Sequence, residues 1–289
     1  MNVTTEDFPI RRYRGAGGLS LVAEVGGIAS APPILLLHGG GQTRHSWGGA
    51  MRRLVSRGYH VINLDARGHG ESAWAPDGRY GLPLLAQDIK CVVDTLQSKP
   101  ALVGASMGGA ASLYLVGNSE EPVASALVLV DIVPSINLTG AAKIQAFMRA
   151  HEDGFASLEN AAEAIREYNP RRPRPKDNSG LLKNLRLRPD GRFYWHWDPR
   201  VMSAGTDVEP PLWAEQLMAA ANQVHIPTLL IRGLESDVVT DEGVADLQHR
   251  IPTLEIFNVP NAGHMVAGDK NDAFNQGLFD FLQRQFPSA

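Results

Sequence analysis

Six short apolar runs recur along this chain with helix-spaced stretches between them, and that alternation restricts the fold more than any other feature. The runs are residues 34–37, 60–64, 101–103, 127–130, 228–231 and 254–258. Helical patterns fall at 45–57, 84–97, 107–117, 241–250 and 272–285. Parallel strands need a long crossover between them, and a helix supplies it, so this rhythm predicts a parallel sheet wrapped by helices. Two earlier stretches, 8–14 and 19–25, read as an antiparallel leading pair joined by a Gly-rich turn. The sum is an α/β fold with a mostly parallel sheet of eight strands.

The rhythm breaks between Pro134 and Gln223. No parallel-strand candidate occurs there. Helical stretches at 141–151 and 158–168, a basic proline-rich loop and an aromatic cluster take its place. We expect residues 1–134 and 224–289 to form one core, and 135–223 to form a mainly helical cap inserted into it. At 289 residues the chain is long enough for that arrangement. A net charge of −4, from 27 basic and 31 acidic residues, is too mild to suggest a nucleic-acid or membrane partner. Cys91 is the single cysteine, which excludes an intrachain disulfide and a thiolate zinc cluster. The N-terminal stretch lacks a signal-peptide layout, and the longest apolar runs fall far short of a membrane span, so the expected location is the cytoplasm.

Chemistry concentrates in segments that follow strands. Gly104-Ala105-Ser106-Met107-Gly108-Gly109 lies between the run at 101–103 and a helical pattern. A serine on so sharp a turn takes strained dihedrals, and flanking glycines remove side chains that would collide across it. Met107 then offers a helix-start N–H to a developing oxyanion. His38-Gly39-Gly40-Gly41 follows the run at 34–37, where the amide of Gly40 could serve as a second oxyanion donor. No P-loop lysine or dinucleotide spacing accompanies these glycines. His38 itself reads as a structural histidine, and His69, in Arg67-Gly68-His69-Gly70-Glu71-Ser72, as a residue that stabilises its own turn. Of the nine histidines, His264 in Asn261-Ala262-Gly263-His264 is the one placed last in the order nucleophile, acid, histidine, between the last strand and the last helix.

These four segments, in this order, resemble the α/β-hydrolase superfamily, and the resemblance covers the chain outside the cap. It implies a serine hydrolase with Ser106 as nucleophile and His264 as general base, needing neither metal nor organic cofactor. Dehalogenases and epoxide hydrolases of the superfamily carry an aspartate at the elbow, so Ser106 argues against both. Most members place the triad acid in a G-x-x-D pattern after the strand matching 228–231. Here that segment reads Gly233-Leu234-Glu235-Ser236-Asp237, which puts Ser236 at the usual acid position and Asp237 one residue later. Asp131, in Asp131-Ile132-Val133-Pro134, ends the preceding strand and resembles the arrangement of a subset of esterases and amide-cleaving hydrolases. We therefore favour Asp131, with Asp237 as the alternative. Asp241 fits helix capping after Thr240.

The expected reaction is hydrolysis of a small or medium carboxylic ester or thioester through an acyl-enzyme. Its rivals are C–C bond hydrolysis of a ring-cleavage product and a non-catalytic ligand receptor on the same fold. The partner is a small molecule, with the choice between monomer and homo-oligomer left open. In the cap, residues 171–176 carry four basic side chains among prolines and read as a solvated loop. Phe193-Tyr194-Trp195-His196-Trp197 either walls an acyl pocket or packs cap against core.

Overall fold

The computed structural model describes residues 8–168, 177–202, 210–266 and 271–288. Eight strands form one sheet: β1 (Ile10–Arg14), β2 (Ser20–Gly26), β3 (Pro33–Leu37), β4 (His60–Leu64), β5 (Ala101–Ala105), β6 (Ala126–Val130), β9 (Thr228–Gly233) and β10 (Leu254–Val259). Their spatial order is β1-β2-β4-β3-β5-β6-β9-β10. The pairs β1–β2 and β2–β4 are antiparallel, and every pair from β4 to β10 is parallel. Several strands run one or two residues beyond their apolar runs, because ends such as Gly104-Ala105 and Arg232-Gly233 carry no apolar signature.

Burial explains the unbroken apolar runs. All five residues of β3 are buried, with Ile34 and Leu36 in one core cluster and Leu35 and Leu37 in the other. Side chains that alternate across a strand can all be apolar only when both sheet faces are covered. One face is covered by α1 (Gly48–Val55) and α8 (Asn271–Gln285), which supply Met51, Leu54, Phe274, Leu278 and Phe281. The other is covered by α2 (Leu82–Val93), α3 (Met107–Gly117) and α7 (Asp241–Arg250). Each fully buried Leu, Ile or Phe of this kind stabilises the fold by roughly 1.5–3 kcal/mol relative to exposure. Thr240, not Asp241, caps α7, its hydroxyl accepting the Gly243 N–H at 3.1 Å, and Asp241 is the first helical residue.

The expected insertion of 135–223 divides in two. Residues 135–202 include α4 (Leu138–Arg149) and α5 (Leu158–Tyr168), which share a small core of their own with Phe155, Trp195 and Trp197. This part also contains an antiparallel hairpin, β7 (Leu185–Leu187) with β8 (Phe193–Trp195), that the sequence pattern did not announce. Trp195 stacks on Trp197, centroids 4.7 Å apart, and meets the Phe155 ring edge-on at 5.1 Å. Both tryptophans thus pack inside this unit, in a core of its own that neither the pocket-wall reading nor packing of cap against core describes. The remaining helix, α6 (Pro210–Ala221), lies against α3 and contributes Leu217 and Ala221 to the main core. The basic run 171–176 lies outside the described residues. Among the described residues no helix is long and apolar enough to cross a membrane.

The α3–α6 contact depends on one missing side chain. A Cβ placed on Gly117 would lie 2.1 Å from the Ala220 carbonyl oxygen, a backbone atom with no freedom to yield. Gly117→Ala should therefore destabilise the protein by about 2 kcal/mol, within the range for overpacked cores, as read from the urea midpoint at constant m.

Candidate active site

The site is built at the carboxyl ends of adjacent parallel strands. Ser106 sits between β5 and α3 with φ 44° and ψ −113°. That conformation costs a non-glycine residue on the order of 1–3 kcal/mol and stands only where its surroundings enforce it. Here the enforcement is close packing: a Cβ on Gly104 would lie 2.5 Å from the Gly108 carbonyl, and one on Gly108 would lie 2.5 Å from the Leu37 carbonyl oxygen. Glycine at both positions lets α3 start directly against the ends of β3 and β5, with the serine at the apex.

The next strand brings in the carboxylate. Ser106 N–H donates to the Val130 carbonyl at 3.0 Å, so Asp131, one residue later, stands beside the elbow. Asp131 is fully buried and has φ 50°. Its Oδ2 accepts from His264 Nδ1 at 2.8 Å and from the Ser236 hydroxyl at 2.6 Å, and its Oδ1 accepts from the Gly233 N–H at 3.0 Å. Asp237 behaves differently. Its side chain is half exposed and faces Lys143 Nζ at 3.6 Å. The two acid candidates are thus separated by geometry: Asp131 is hydrogen-bonded to His264 and Asp237 is turned outward.

The glycine loop after β3 closes the opposite side. A Cβ on Gly39 would lie 3.4 Å from Ser106 Cβ, and one on Gly40 would lie 3.9 Å from Met107 Sδ. Among the described residues neither the Gly40 nor the Met107 N–H meets an acceptor, and Ser106 Oγ makes no hydrogen bond. Gln42 ties this loop to the histidine loop: its Oε1 accepts the Gly39 N–H at 3.1 Å, and its Nε2 donates to Met265 Sδ at 3.2 Å. Ser106, Asp131, His264, Gly40 and Met107 are therefore gathered at one rim, with the Asp–His contact made and the Ser–His contact open.

A family model described as the alpha/beta hydrolase family matches residues 34–276. The chain belongs to the α/β-hydrolase family. Esterase Rv0045c of Mycobacterium tuberculosis is 29% identical over 248 residues, covering 83% of this α/β-hydrolase and 79% of the relative. A solved structure of that esterase superposes with a TM-score of 0.73 at 27% identity, over 96% of this chain and 94% of the other. The mouse (Mus musculus) sn-1-specific diacylglycerol lipase ABHD11 is 29% identical over 270 residues, 89% of this chain and 82% of its own. E-2-(acetamidomethylene)succinate hydrolase shares the fold with a TM-score of 0.83 over 96% and 99% of the two chains, at 23% identity.

Three participants of this hydrolase were not recognised in the sequence. In the sequence Ser236 stands out only as the residue at the usual acid position, and Gln42 carries no signal at all. His69 reads as a residue of its own turn, and its Nδ1 does donate to the Arg67 carbonyl at 3.0 Å. Its Nε2 also accepts the Gly41 N–H at 3.2 Å, which holds the glycine loop from below. His38 works the same way, donating to the Gly39 carbonyl and accepting the Ala66 N–H at 3.0 Å. The neighbouring Arg67 reaches down to Asp88 of α2 in a buried two-point ion pair at 2.5 and 2.7 Å. Together these bonds fix the loops after β3 and β4 from which the glycine amides project.

His69 is buried, and desolvation, with the nearby His38 as the next contributor, lowers its pKa to about 3. Burial lowers His38 in the same sense. An unfolded chain takes up a proton on His69 near 6.5, so between pH 6.5 and 3 the unfolded state binds more protons. The stability contributed by neutral His69 is therefore complete above pH 6.5 and declines as pH falls towards 3. From pH 7 to pH 5 the loss should be about 2 kcal/mol. Urea midpoints across that range should show it, and His69→Gln should flatten the slope by about one proton.

Proposed function

We propose that this hydrolase cleaves a small or medium carboxylic ester or thioester through an acyl-enzyme on Ser106. The observation that carries the reading is the 2.8 Å contact between His264 Nδ1 and the buried Asp131, assembled one strand away from a serine held at a strained elbow. Asp131 accepts from Nδ1, which leaves Nε2 of His264 as the basic nitrogen and stabilises the imidazolium that forms when it takes a proton.

In the first half-reaction Ser106 Oγ attacks the acyl carbon while its proton passes to His264 Nε2. The carbonyl oxygen becomes an anion held by the N–H groups of Gly40 and Met107, each worth on the order of 3 kcal/mol. Collapse expels the alcohol or thiol, protonated by His264, and leaves the acyl group on Ser106. A water then gives a proton to His264 as it attacks the acyl carbon, and collapse breaks the bond to Ser106 Oγ, which takes that proton back from His264 as the acid leaves. The Ser106–His264 hydrogen bond is the one this mechanism needs to form with substrate, since catalytic hydrogen bonds often tighten only in the substrate complex. No step calls on a metal or an organic cofactor. The esterase and lipase names of the relatives support ester chemistry, and we take residues 135–202 as the cap over this rim.

Ser106→Ala should abolish p-nitrophenyl ester hydrolysis in a folded protein. Asp131→Asn should cut kcat by about 10⁴, the scale for loss of a triad acid, whereas Asp237→Asn should cost tenfold or less. The reverse ranking of the two aspartates, or activity surviving in Ser106→Ala, would contradict the assignment.

A further inference from the structure

We propose that Ser236 is a positioning residue for catalysis, its hydroxyl locking the Asp131 carboxylate so that one oxygen is presented to His264. The proposal rests on the acyl-enzyme reading above and adds a member to it.

A single hydroxyl has one proton to give and two lone pairs to receive. Ser236 Oγ accepts the N–H groups of Val238 and Val239, each at 3.2 Å. With its acceptor side facing two backbone amides, its proton points to Asp131 Oδ2 at 2.6 Å. The direction of this chain is therefore set by the backbone: amides to hydroxyl, hydroxyl to carboxylate. A hydroxyl polarised in this way is a stronger donor, because successive hydrogen bonds reinforce one another.

The second consequence concerns rotation. A carboxylate held at one point turns about its terminal torsion, which is broad and roughly two-fold. Asp131 is held at two points, Oδ1 by the Gly233 N–H and Oδ2 by Ser236. With both oxygens fixed, the remaining acceptor direction on Oδ2 is the one that meets His264 Nδ1 at 2.8 Å. Ser236 thus determines which oxygen the histidine sees and the angle at which it sees it. A serine also suits the position electrostatically. It places a donor against the acid, whereas a carboxylate there would set a second negative charge within contact of the first.

A serine that only shaped the loop after β9 would predict something else. Its loss would lower stability and leave turnover to the intact Asp131–His264 pair. Coupling separates the two cases, since a residue that acts through Asp131 has nothing to act through once that carboxylate is gone.

The experiment is a double-mutant cycle on Ser236→Ala and Asp131→Asn, with Ser106→Ala as control and each variant's thermal midpoint recorded. The substrate is p-nitrophenyl acetate. Ser236→Ala should lower kcat roughly ten- to a hundredfold, the range spanned by one hydrogen bond to a charged group. KM should change by less than about threefold, because the group meets substrate in neither ground nor transition state. In the Asp131→Asn background the same substitution should change kcat by less than about twofold. An unchanged kcat in Ser236→Ala, or an equal loss in both backgrounds, overturns the inference and leaves the acyl-enzyme reading standing. Activity retained by Ser106→Ala removes the acyl-enzyme reading, and this inference with it.

Discussion

A carboxylate shut away from water must be met by donors, and the fully buried Asp131 imposes that demand at the end of β6. No neighbour on its own strand answers it. The donors arrive from the end of β9, as Gly233 N–H, from the loop after it, as the Ser236 hydroxyl, and from the loop after β10, as His264. Parallel register makes this possible, because β6, β9 and β10 lie side by side and end on the same rim. The demand has a conformational side too. Among the described residues the non-glycines with positive φ are Ser106, Asp131, His151 and Asn261, and three of these four lie in the loops that carry Ser106, Asp131 and His264. The strain is held by a sheet packed on both faces, far more stabilising than these turns are costly.

Much of this was readable in advance, for a physical reason. Strands covered on both sides are mostly apolar, so β3 and β6 stand out in the sequence as unbroken runs. Segments that end such strands and contain glycines and a serine or histidine mark the rim. What resisted reading was local. The strands β7 and β8 have three residues each, too short to establish a period of two, and their aromatic residues read equally well as a pocket wall. The placement of α6 on α3 rests on the bare Cα of Gly117, whose close approach to Ala220 exists only in three dimensions. The choice between Asp131 and Asp237 turned on side-chain direction. Ser236 and Asp237 are neighbours, yet one hydroxyl points inward to Asp131 while the adjacent carboxylate points outward to Lys143.

The layer beneath the site shows how a motif can be recognised and still be under-read. Arg67, His69 and Ser72 all belong to one stretch whose general role in a turn was evident. Their bonds do more than close that turn. Arg67 binds Asp88 of α2, Ser72 accepts the Val22 N–H of β2 at 2.9 Å, and His69 accepts the Gly41 N–H of the glycine loop. Asp198 is fastened to the same region. Tyr80 donates to Asp198 at 2.5 Å, and the Asp198 N–H donates to the Gly68 carbonyl at 2.8 Å. The loops after β3 and β4 thus carry the glycine amides on one side and the docking points of residues 183–200 on the other.

The central claim is that one serine, activated by one histidine, performs the chemistry. The most direct measurement is covalent labelling with a fluorophosphonate, followed by intact-mass analysis and peptide mapping. The account predicts one adduct per chain on the peptide that contains Ser106, absent from Ser106→Ala and formed orders of magnitude more slowly in His264→Ala. An adduct on another residue, or an unlabelled protein that still hydrolyses esters, would contradict it.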